Sequence, residues 1–225
     1  MFINTTGIVL REVTYKDSSK ILTVLTSSEG KLTVSAHGAH RKNSKLAAVT
    51  GLLVFSEMTL LRKKDRWTMT EARSIEQFLG LRDDLKLLAL GSYIAELTEA
   101  VADEDSPNPE LLPLCLNALY ALSEKQKTPE YVKPAFELRL MAISGFEPLL
   151  SPKNSQSFNS PEDGTLKLKQ GALQAAEYIL SCNAKKLFSF ILNDTALNEL
   201  SKASENYLLA HLDRTFKTLD YFHKV

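Results

Sequence analysis

The stretch KLTVSAHGAHRKNSKLAAVTGLLVFSEMTLL, residues 31–61, decides how the first third of the chain folds. In its first part Leu32, Val34 and Ala36 alternate with polar residues, which is typical of a half-buried strand. Its last part is an apolar run rich in Val, Leu and Phe, and two histidines, two lysines and an arginine lie between the runs. The stretch therefore predicts two strands joined by a cationic loop.

Three further runs around this stretch have the same strand character, rich in Val, Ile, Leu, Thr and aromatic residues. The sequence SSEG at 27–30 indicates a hairpin turn, because Gly30 tolerates a turn backbone. Residues 63–65 indicate a second turn, between the last two runs. Five strands in about 75 residues predict a small antiparallel barrel, and the OB-fold is such a barrel that often binds single strands. We predict an OB-fold barrel over residues 1–80.

From residue 82 onward the apolar residues recur at intervals of three and four, which is the period of a helix. Apolar stripes predict a first helix up to Val101 and a second over 111–122, and Thr128-Pro129 indicates the start of a third. We expect later helices at about 171–181, 184–192 and 203–222. Residues 146–169 have no sustained period. The chain is therefore predicted to be α+β, with the barrel followed by an all-α domain, 81–225, that carries an irregular insertion at 146–169.

The charge of the chain is zero overall but unevenly divided. Residues 1–80 hold 12 Lys and Arg against 7 Asp and Glu, so the remainder carries five net negative charges. A positive barrel favours a polyanionic partner. No apolar run approaches the length that spans a bilayer, and the N-terminus does not resemble a secretory signal, so we expect a cytoplasmic protein with no membrane partner.

Catalytic motifs are missing from the sequence. It has no glycine-rich phosphate loop, no GxSxG elbow and no HExxH, so we expect a protein that is not an enzyme and needs no cofactor. His37 and His40 have no Cys, Asp or Glu nearby to complete a metal site. The acidic residues 103–105 lie beside prolines and are interpreted as a solvated loop, and Cys115 lies on an apolar stripe and is interpreted as packed and inert.

The features that point to a function are two basic clusters. We predict that Arg41, Lys42 and Lys45 contact phosphates, followed by Lys64 and Arg66 in the second cluster, because each neutralised phosphate releases counterions. The residue after the second cluster, Trp67, has two open interpretations. It either stacks on bases or packs inside the barrel, since strand alternation allows both.

Several stretches together resemble the RecO family of bacterial recombination mediators. The resemblance covers nearly the whole chain and is most specific in GAHRKNSKLA within the first 75 residues; it extends through RWTMTEARSI (66–75), AFELRLMAISGFEP (135–148) and HLDRTFKTLDYF (211–222). Many family members carry a four-cysteine zinc knuckle in the middle of the helical part. FNSPEDG (158–164) is similar to the phrase between its cysteine pairs, but residues 145–171 contain no Cys or His. We therefore predict a degenerate knuckle without zinc.

The resemblance implies a function in DNA repair and recombination. Proteins of this family bind single- and double-stranded DNA, anneal complementary strands, and act with RecR to load recombinase onto DNA covered by single-strand-binding protein. Their helical part contacts the acidic C-terminal tail of that protein, and Lys133 and Arg139 are our candidates for holding it. Two alternatives stay open from the residues alone: an OB-fold module that binds RNA, and a non-enzymatic protein adaptor.

Overall fold

The computed structural model describes residues 1–41, 43–153 and 164–225. Its strands, in chain order, are β1 (Phe2–Tyr15), β2 (Ser19–Thr26), β3 (Gly30–Ala36), β4 (Phe55–Lys63), β5 (Arg66–Glu76), β6 (Leu149–Pro152) and β7 (Thr165–Leu168). Its α-helices are α1 (Leu85–Val101), α2 (Leu111–Ser123), α3 (Pro129–Ile143), α4 (Gln170–Ser181), α5 (Asp194–Leu212) and α6 (Lys217–Phe222). The expected class is confirmed: a closed five-stranded barrel is followed by helices.

The barrel closes in the order β1-β2-β3-β5-β4. Four of its strand contacts are antiparallel, as expected from the hairpin turns, but the contact that joins β3 to β5 is parallel, with Val34 beside Trp67 and Ser35 beside Thr68. Parallel neighbours need a connection longer than a hairpin turn. Residues 37–54 and the whole of β4 provide it, so the loop predicted from the opening stretch is what allows the barrel to close.

The interior of the barrel follows the predicted alternation. Its inward-facing apolar residues, from all five strands, are Val9, Leu22, Val24, Leu32, Val34, Ala36, Met58, Leu60, Trp67 and Met69. The turn at Gly30 also has a second role. Gly30 has a φ of 72°, and a Cβ there would lie 2.3 Å from the carbonyl oxygen of Ser106. A glycine is needed both for the turn and for the close approach of the chain that follows α1.

The outer side of the barrel wall and the helices share one hydrophobic core, and the barrel interior forms a second cluster. Ile8, Leu10 and Leu25 lie on the outer side of the barrel wall and pack in the same cluster as the buried residues of the helices. The β1–β2 ladder has a register shift between Val9 and Arg11, next to Leu10. A division into independent domains at residue 80 therefore stays a prediction.

Two of the expected helices have different bounds. In place of a helix over 184–192 there is a single 3-10 turn, Ala184–Lys186. The last predicted helix is two: α5 begins earlier, where the Asn193 side chain accepts a hydrogen bond from the Ala196 N–H, and it ends at Asp213, which has a φ of 45°. A left-handed residue cannot continue a helix, so α6 starts afresh after buried Phe216.

The insertion is more regular than its sequence indicates. β6 and β7 form a two-stranded parallel sheet that pairs Leu149–Pro152 with Thr165–Leu168. Leu166 and Leu168 are buried in the main core, so packing against the helices stabilises strands too short to show a period. Residues 154–163, with most of the knuckle-like phrase, lie outside the described residues. In the described ranges, no helix is long and apolar enough to cross a membrane.

Candidate nucleic-acid interface

The cationic loop, residues 37–54, covers one end of the barrel. Ala39 and Val49 are buried in the barrel cluster, and Leu46 packs against it. The backbone N–H of His40 donates to the Ser18 carbonyl, 3.1 Å away, which ties the loop to the turn between β1 and β2. Small and apolar side chains therefore hold the loop in place, and its cations are not needed for packing.

A series of tight turns fixes the backbone around the cations. The N–H of Arg41 donates to the Gly38 carbonyl and the N–H of Ser44 donates to the Arg41 carbonyl, at 3.0 and 2.9 Å. The Ser44 hydroxyl accepts a hydrogen bond from the Leu46 N–H. Gly38 has a φ of 71°, a conformation that glycine adopts without strain. The loop is thus shaped by its own backbone, which leaves the basic side chains available for a ligand.

The sequence-predicted phosphate contacts of this loop point into solvent. Arg41 and Lys45 are exposed, and neither lies within 4 Å of a carboxylate in the described part of the chain. Lys42, the third predicted contact, lies outside the described residues. Two unneutralised cations on a backbone of fixed shape form a surface that attracts a polyanion.

The second basic cluster lies in the β4–β5 turn, residues 63–66. Lys63 pairs with Arg66 at the end of the ladder, and Lys64 has a φ of 54°, which costs a non-glycine residue about 1 kcal/mol. Lys64 and Arg66 are exposed and have no ion pair among residues 1–41, 43–153 and 164–225. This turn therefore presents free positive charge at the cost of backbone strain.

The two clusters lie at opposite ends of the strands. Because β3 and β5 are parallel, the loop that leaves β3 and the turn that enters β5 point in opposite directions. The register places Arg66 at the level of Thr33, three residues before Ala36 along β3. The two residues are therefore separated by about 10 Å along the strand direction. The clusters do not merge into one patch; they flank the outer face of β3.

Trp67 belongs to the barrel core. Its side chain is 5% exposed and packs with the inward residues of β3 and β4, and the guanidinium of Arg62 covers its ring at 5.3 Å from the centroid. The register fixes this outcome, because Trp67 lies beside inward-facing Val34. The stacking interpretation of Trp67 is corrected, since the ring has no free face to offer a base.

Lys133 is also not a surface residue. Its side chain is 2% exposed, and its ammonium lies 2.8 Å from Glu137 Oε1 and 2.6 Å from Glu205 Oε2. Burial by itself would lower the pKa of Lys133, but the two carboxylates outweigh burial and raise it. Tyr93 and Ser204 donate to the same Glu137 carboxylate. Lys133 is therefore the centre of a buried network that joins α1, α3 and α5, and its expected contact with an acidic tail is corrected.

Arg139 is half-buried beside a small apolar cavity of about 380 Å³. Its guanidinium donates to the carbonyls of Leu180, at 2.9 Å, and Cys182, where α4 ends. The remaining cavity wall is mostly apolar and includes Pro109, Pro113, Leu114, Ile143 and Leu187, with Glu110 at the same site. Arg139 therefore faces a space that a ligand could enter, and its guanidinium is not paired with a carboxylate in the described part of the chain.

The sequence reasoning did not single out Lys16. This residue lies in the turn between β1 and β2 with a φ of 56°, is exposed, and its ammonium is 5.3 Å from the centroid of the Tyr15 ring. The signal was a lysine in a tight turn between two predicted strands, the same signal that Lys64 gives. It was overlooked because Lys16 stands alone in the sequence and not in a cluster.

The acidic segment, the buried cysteine and the possible metal ligands form no second site in the described part of the chain. The acidic 103–105 segment lies along the barrel: the Lys31 N–H donates to the Asp103 carbonyl and the Asp105 N–H donates to the Lys31 carbonyl. Burial raises the pKa of the Cys115 thiol to about 12, so it is not a nucleophile at neutral pH. Within the described ranges no three His, Cys, Asp or Glu side chains are grouped as metal ligands.

Comparison with known proteins gives the same answer for both parts of the chain. The family model described as Recombination protein O N terminal matches residues 1–78, and the one described as Recombination protein O C terminal matches residues 82–220. The chain is 32% identical to the DNA repair protein RecO of Acetivibrio thermocellus over 98% of this chain and 96% of that protein. It is 29% identical to the DNA repair protein RecO of Alkaliphilus metalliredigens over the full length of both.

A third relative is matched over a smaller share of the chain. The chain is 32% identical to the DNA repair protein RecO of Bacillus subtilis, but over 64% of this chain and 56% of that protein. The matches to both family models and the relatives matched over nearly the whole length agree with a barrel followed by a helical part. The chain therefore belongs to the RecO family of DNA repair proteins.

Proposed function

We propose that this protein is a recombination mediator that binds single- and double-stranded DNA and anneals complementary strands. With RecR, it promotes the loading of recombinase onto DNA covered by single-strand-binding protein. The observation that carries the proposal is the cationic loop, where Arg41 and Lys45 are exposed without a carboxylate partner in the described part of the chain. Their loop is anchored to the barrel by buried Ala39 and Val49.

Annealing needs no covalent chemistry. Two strands repel each other through their phosphates, and a cationic surface that holds both lowers this repulsion and raises their local concentration. Contacts to phosphates carry no sequence information and leave the base edges free to pair. The exposed side chains of the two clusters supply phosphate contacts of this kind, and on this proposal the protein acts without a cofactor and is not an enzyme.

The direct test is annealing of complementary strands coated with single-strand-binding protein, with and without RecR. We expect the wild-type protein to accelerate annealing, and the double variant Arg41→Glu/Lys45→Glu to be slower by at least tenfold. Loss of two phosphate contacts should also lower the salt dependence of single-strand binding by about 1.4 in the log–log slope. The matched control is Lys125→Glu/Lys202→Glu, which makes the same charge change at exposed positions of the helical part.

The outcomes separate the candidate functions. Equal annealing rates for the two double variants would show that general charge acts, and would contradict the loop as the binding surface. Binding of structured RNA in preference to DNA would favour an RNA-binding module. Absence of any nucleic-acid binding, with RecR still bound, would favour a protein adaptor.

We further propose that the acidic tail of single-strand-binding protein enters the cavity beside Arg139. An arginine suits the carboxylates of an acidic tail, because it can donate charge-assisted hydrogen bonds to them. Glu110 lies at the same cavity and would oppose such a tail. In titrations with the tail peptide, Glu110→Gln should therefore bind more tightly and Arg139→Gln more weakly than wild type. Unchanged affinity for both variants would place the tail elsewhere.

A further inference from the structure

The chain that leaves α1 does not turn away from the barrel but pairs with an edge of β3. The N–H of Lys31 donates to the Asp103 carbonyl at 3.1 Å, and the Lys31 carbonyl accepts a hydrogen bond from the Asp105 N–H at 3.3 Å. The two bonds form a parallel bridge between Lys31 and Glu104. Residues 103–105, Asp-Glu-Asp, are named the acidic strap below.

The acidic strap and β5 lie on the same edge of β3. Strand β2 pairs with β3 along its whole length, from Gly30 to Ala36, and so occupies the other edge. Both the strap and β5 run parallel to β3, the strap at the level of Lys31 and β5 from the level of Val34 onward. The strap therefore lies in line with β5, just before the point where β5 begins.

This position brings the strap close to the basic β4–β5 turn, residues 63–66. Glu104 is at the level of Lys31, and Arg66 is at the level of Thr33. Two residues of a strand cover about 7 Å. Charges at this separation still interact, because the screening length at physiological salt is about 8 Å. The three carboxylates therefore lower the positive potential around Lys64 and Arg66, although no ion pair joins the two groups in residues 1–41, 43–153 and 164–225.

The fold holds the strap by its backbone and its neighbours, not by its carboxylates. Ala102, just before the strap, is buried in the core that the helices share. Ser106, just after it, lies so close to Gly30 that a Cβ on the glycine would be 2.3 Å from the Ser106 carbonyl oxygen. All three acidic side chains of the strap are exposed and make no ion pair in the part of the chain that the structure describes. Their charge is therefore not needed for folding.

We propose that the acidic strap is an autoinhibitory element that weakens the binding of DNA phosphates to the β4–β5 turn. The carboxylates of the strap and the phosphates of a strand are both anions, so the strap repels a strand that approaches Lys64 and Arg66. The proposal rests on the function proposed above and adds a regulation of the same interface. Annealing turns over only if the product duplex is released, and a second cluster held at reduced strength favours that release.

The cationic loop lies beyond the reach of the strap. The loop leaves β3 after Ala36, whereas the strap is at the level of Lys31, five residues earlier along the strand. Five residues cover about 17 Å, roughly twice the screening length at physiological salt. The strap therefore acts on one basic cluster and leaves Arg41 and Lys45 unaffected, which makes its effect separable by mutation.

The test measures the affinity of the full chain for a fluorescent oligothymidylate over a series of salt concentrations. The strap variant is Asp103→Asn/Glu104→Gln/Asp105→Asn, in which asparagine suits the φ of 52° at position 105. Near physiological salt we expect it to bind about fivefold more tightly than a control of equal charge, since the charges lie within one screening length. Its log–log salt slope should be steeper by about 0.7 for each phosphate contact regained.

The matched control is Glu124→Gln/Glu147→Gln/Glu177→Gln. It removes three exposed carboxylates of the helical part that make no ion pair among the residues described, so the change in net charge is the same. Two further backgrounds locate the effect. With Lys64→Gln/Arg66→Gln, neutralising the strap should give no more than the control does. With Arg41→Gln/Lys45→Gln, the fivefold gain should remain.

The outcomes separate the strap from the proposed function. If wild type binds DNA but the strap variant and the control have equal affinity and slope, autoinhibition is wrong and the proposed function stands. A gain that persists in full without Lys64 and Arg66 would also contradict the proposal, because the strap would then act elsewhere. If wild type binds no DNA, the proposed function itself fails. Circular dichroism checks folding; should the triple variant not fold, Glu104→Gln alone should give a smaller gain, and no gain would overturn the proposal.

Discussion

The basic residues of the barrel loops and those of the central helix differ in what surrounds them. Arg41 and Lys45 are exposed and lack carboxylate partners among the described residues, on a loop that is held by other side chains. Lys133 and Arg139 are buried or half-buried, and each is bound to groups of neighbouring helices. A charge that the fold does not use is available to a ligand, whereas a charge that the fold has paired stabilises the protein. Arg139 combines both, because it is hydrogen-bonded to carbonyls and still borders a cavity. The predictions below test that difference, from the largest expected effect on stability to the smallest.

The largest effect is expected for Lys133→Met. Removal of the ammonium leaves the Glu137 carboxylate, which is 0% exposed, without its counter-charge, so the free energy of unfolding should fall by about 3–5 kcal/mol. Urea unfolding measures this, with Lys202→Met as the exposed lysine control. The double variant Lys133→Met/Glu137→Gln should recover part of the loss, because the uncompensated charge is gone. A loss below 1 kcal/mol would mean that the network does not stabilise the helices.

Arg139→Met should have the second largest effect. The guanidinium donates to two carbonyls at the end of α4, and hydrogen bonds that involve a charged group contribute about 1.5–3 kcal/mol. We expect a loss in this range by urea unfolding, with DNA affinity of the folded protein unchanged. Lys185→Met, an exposed position in the 3-10 turn after α4, is the control. If DNA affinity falls together with stability, the distinction between DNA-binding cations of the barrel loops and structural cations of the central helix is wrong.

Glu205→Gln tests the pH dependence of the buried network. Burial would raise the pKa of Glu205, but Lys133 and His223 outweigh it and lower the pKa. A lowered pKa in the folded state gives stability that is present above the ordinary Glu value of about 4.3 and is lost as the pH falls through the folded value. We expect a loss of about 1–2 kcal/mol at pH 7 that shrinks towards zero below pH of about 4.

The control for this experiment is Glu177→Gln, an exposed carboxylate on α4, which should show no such pH-dependent difference. A difference between wild type and Glu205→Gln that stays constant from pH 3 to pH 7 would contradict the ion pair.

The smallest effect on stability is expected for Arg41→Gln. The side chain is exposed and makes no ion pair among the described residues, so the free energy of unfolding should change by no more than about 0.5 kcal/mol. Single-strand affinity at low salt should nevertheless fall several-fold, through the lost phosphate contact. Arg73→Gln, which removes an exposed arginine paired with Glu57, is the matched control on the same barrel. If Arg41→Gln loses stability but keeps DNA affinity, Arg41 stabilises the fold and does not contact DNA.

The sequence predicted the parts of the fold that have a strong local signal. Alternation and enrichment in Val, Ile, Leu, Thr and aromatic residues predicted the five barrel strands. Apolar stripes at intervals of three and four predicted α1 and α2, and Thr128-Pro129 predicted the start of α3. It failed at β6 and β7, whose four residues each are too short for a period and depend on packing. It also failed where a left-handed Asp213 divides the C-terminal helices, because nothing in the residue type required that conformation.

For the candidate site, the sequence identified the cationic loop and the β4–β5 turn but could not rank their residues. Trp67 and Tyr15 are both aromatic residues in predicted strands, and their different sides of the wall follow from register with neighbouring strands. The charged residues around Lys133 in the sequence look like those of an exposed helix face. In the fold, the buried ammonium is paired with Glu137 one turn away and with Glu205 from α5.

The sequence by itself determined the strands, most of the helices and the concentration of positive charge in the loops, because these follow from local periodicity and composition. Only the tertiary structure decided which cations are neutralised, which aromatic ring faces solvent and how the barrel closes through the parallel β3–β5 contact. These properties depend on residues that are distant in the chain: Lys133 meets Glu205, and Val34 meets Trp67. Burial and pairing depend on which elements pack together, and the local sequence of one element does not specify its neighbour.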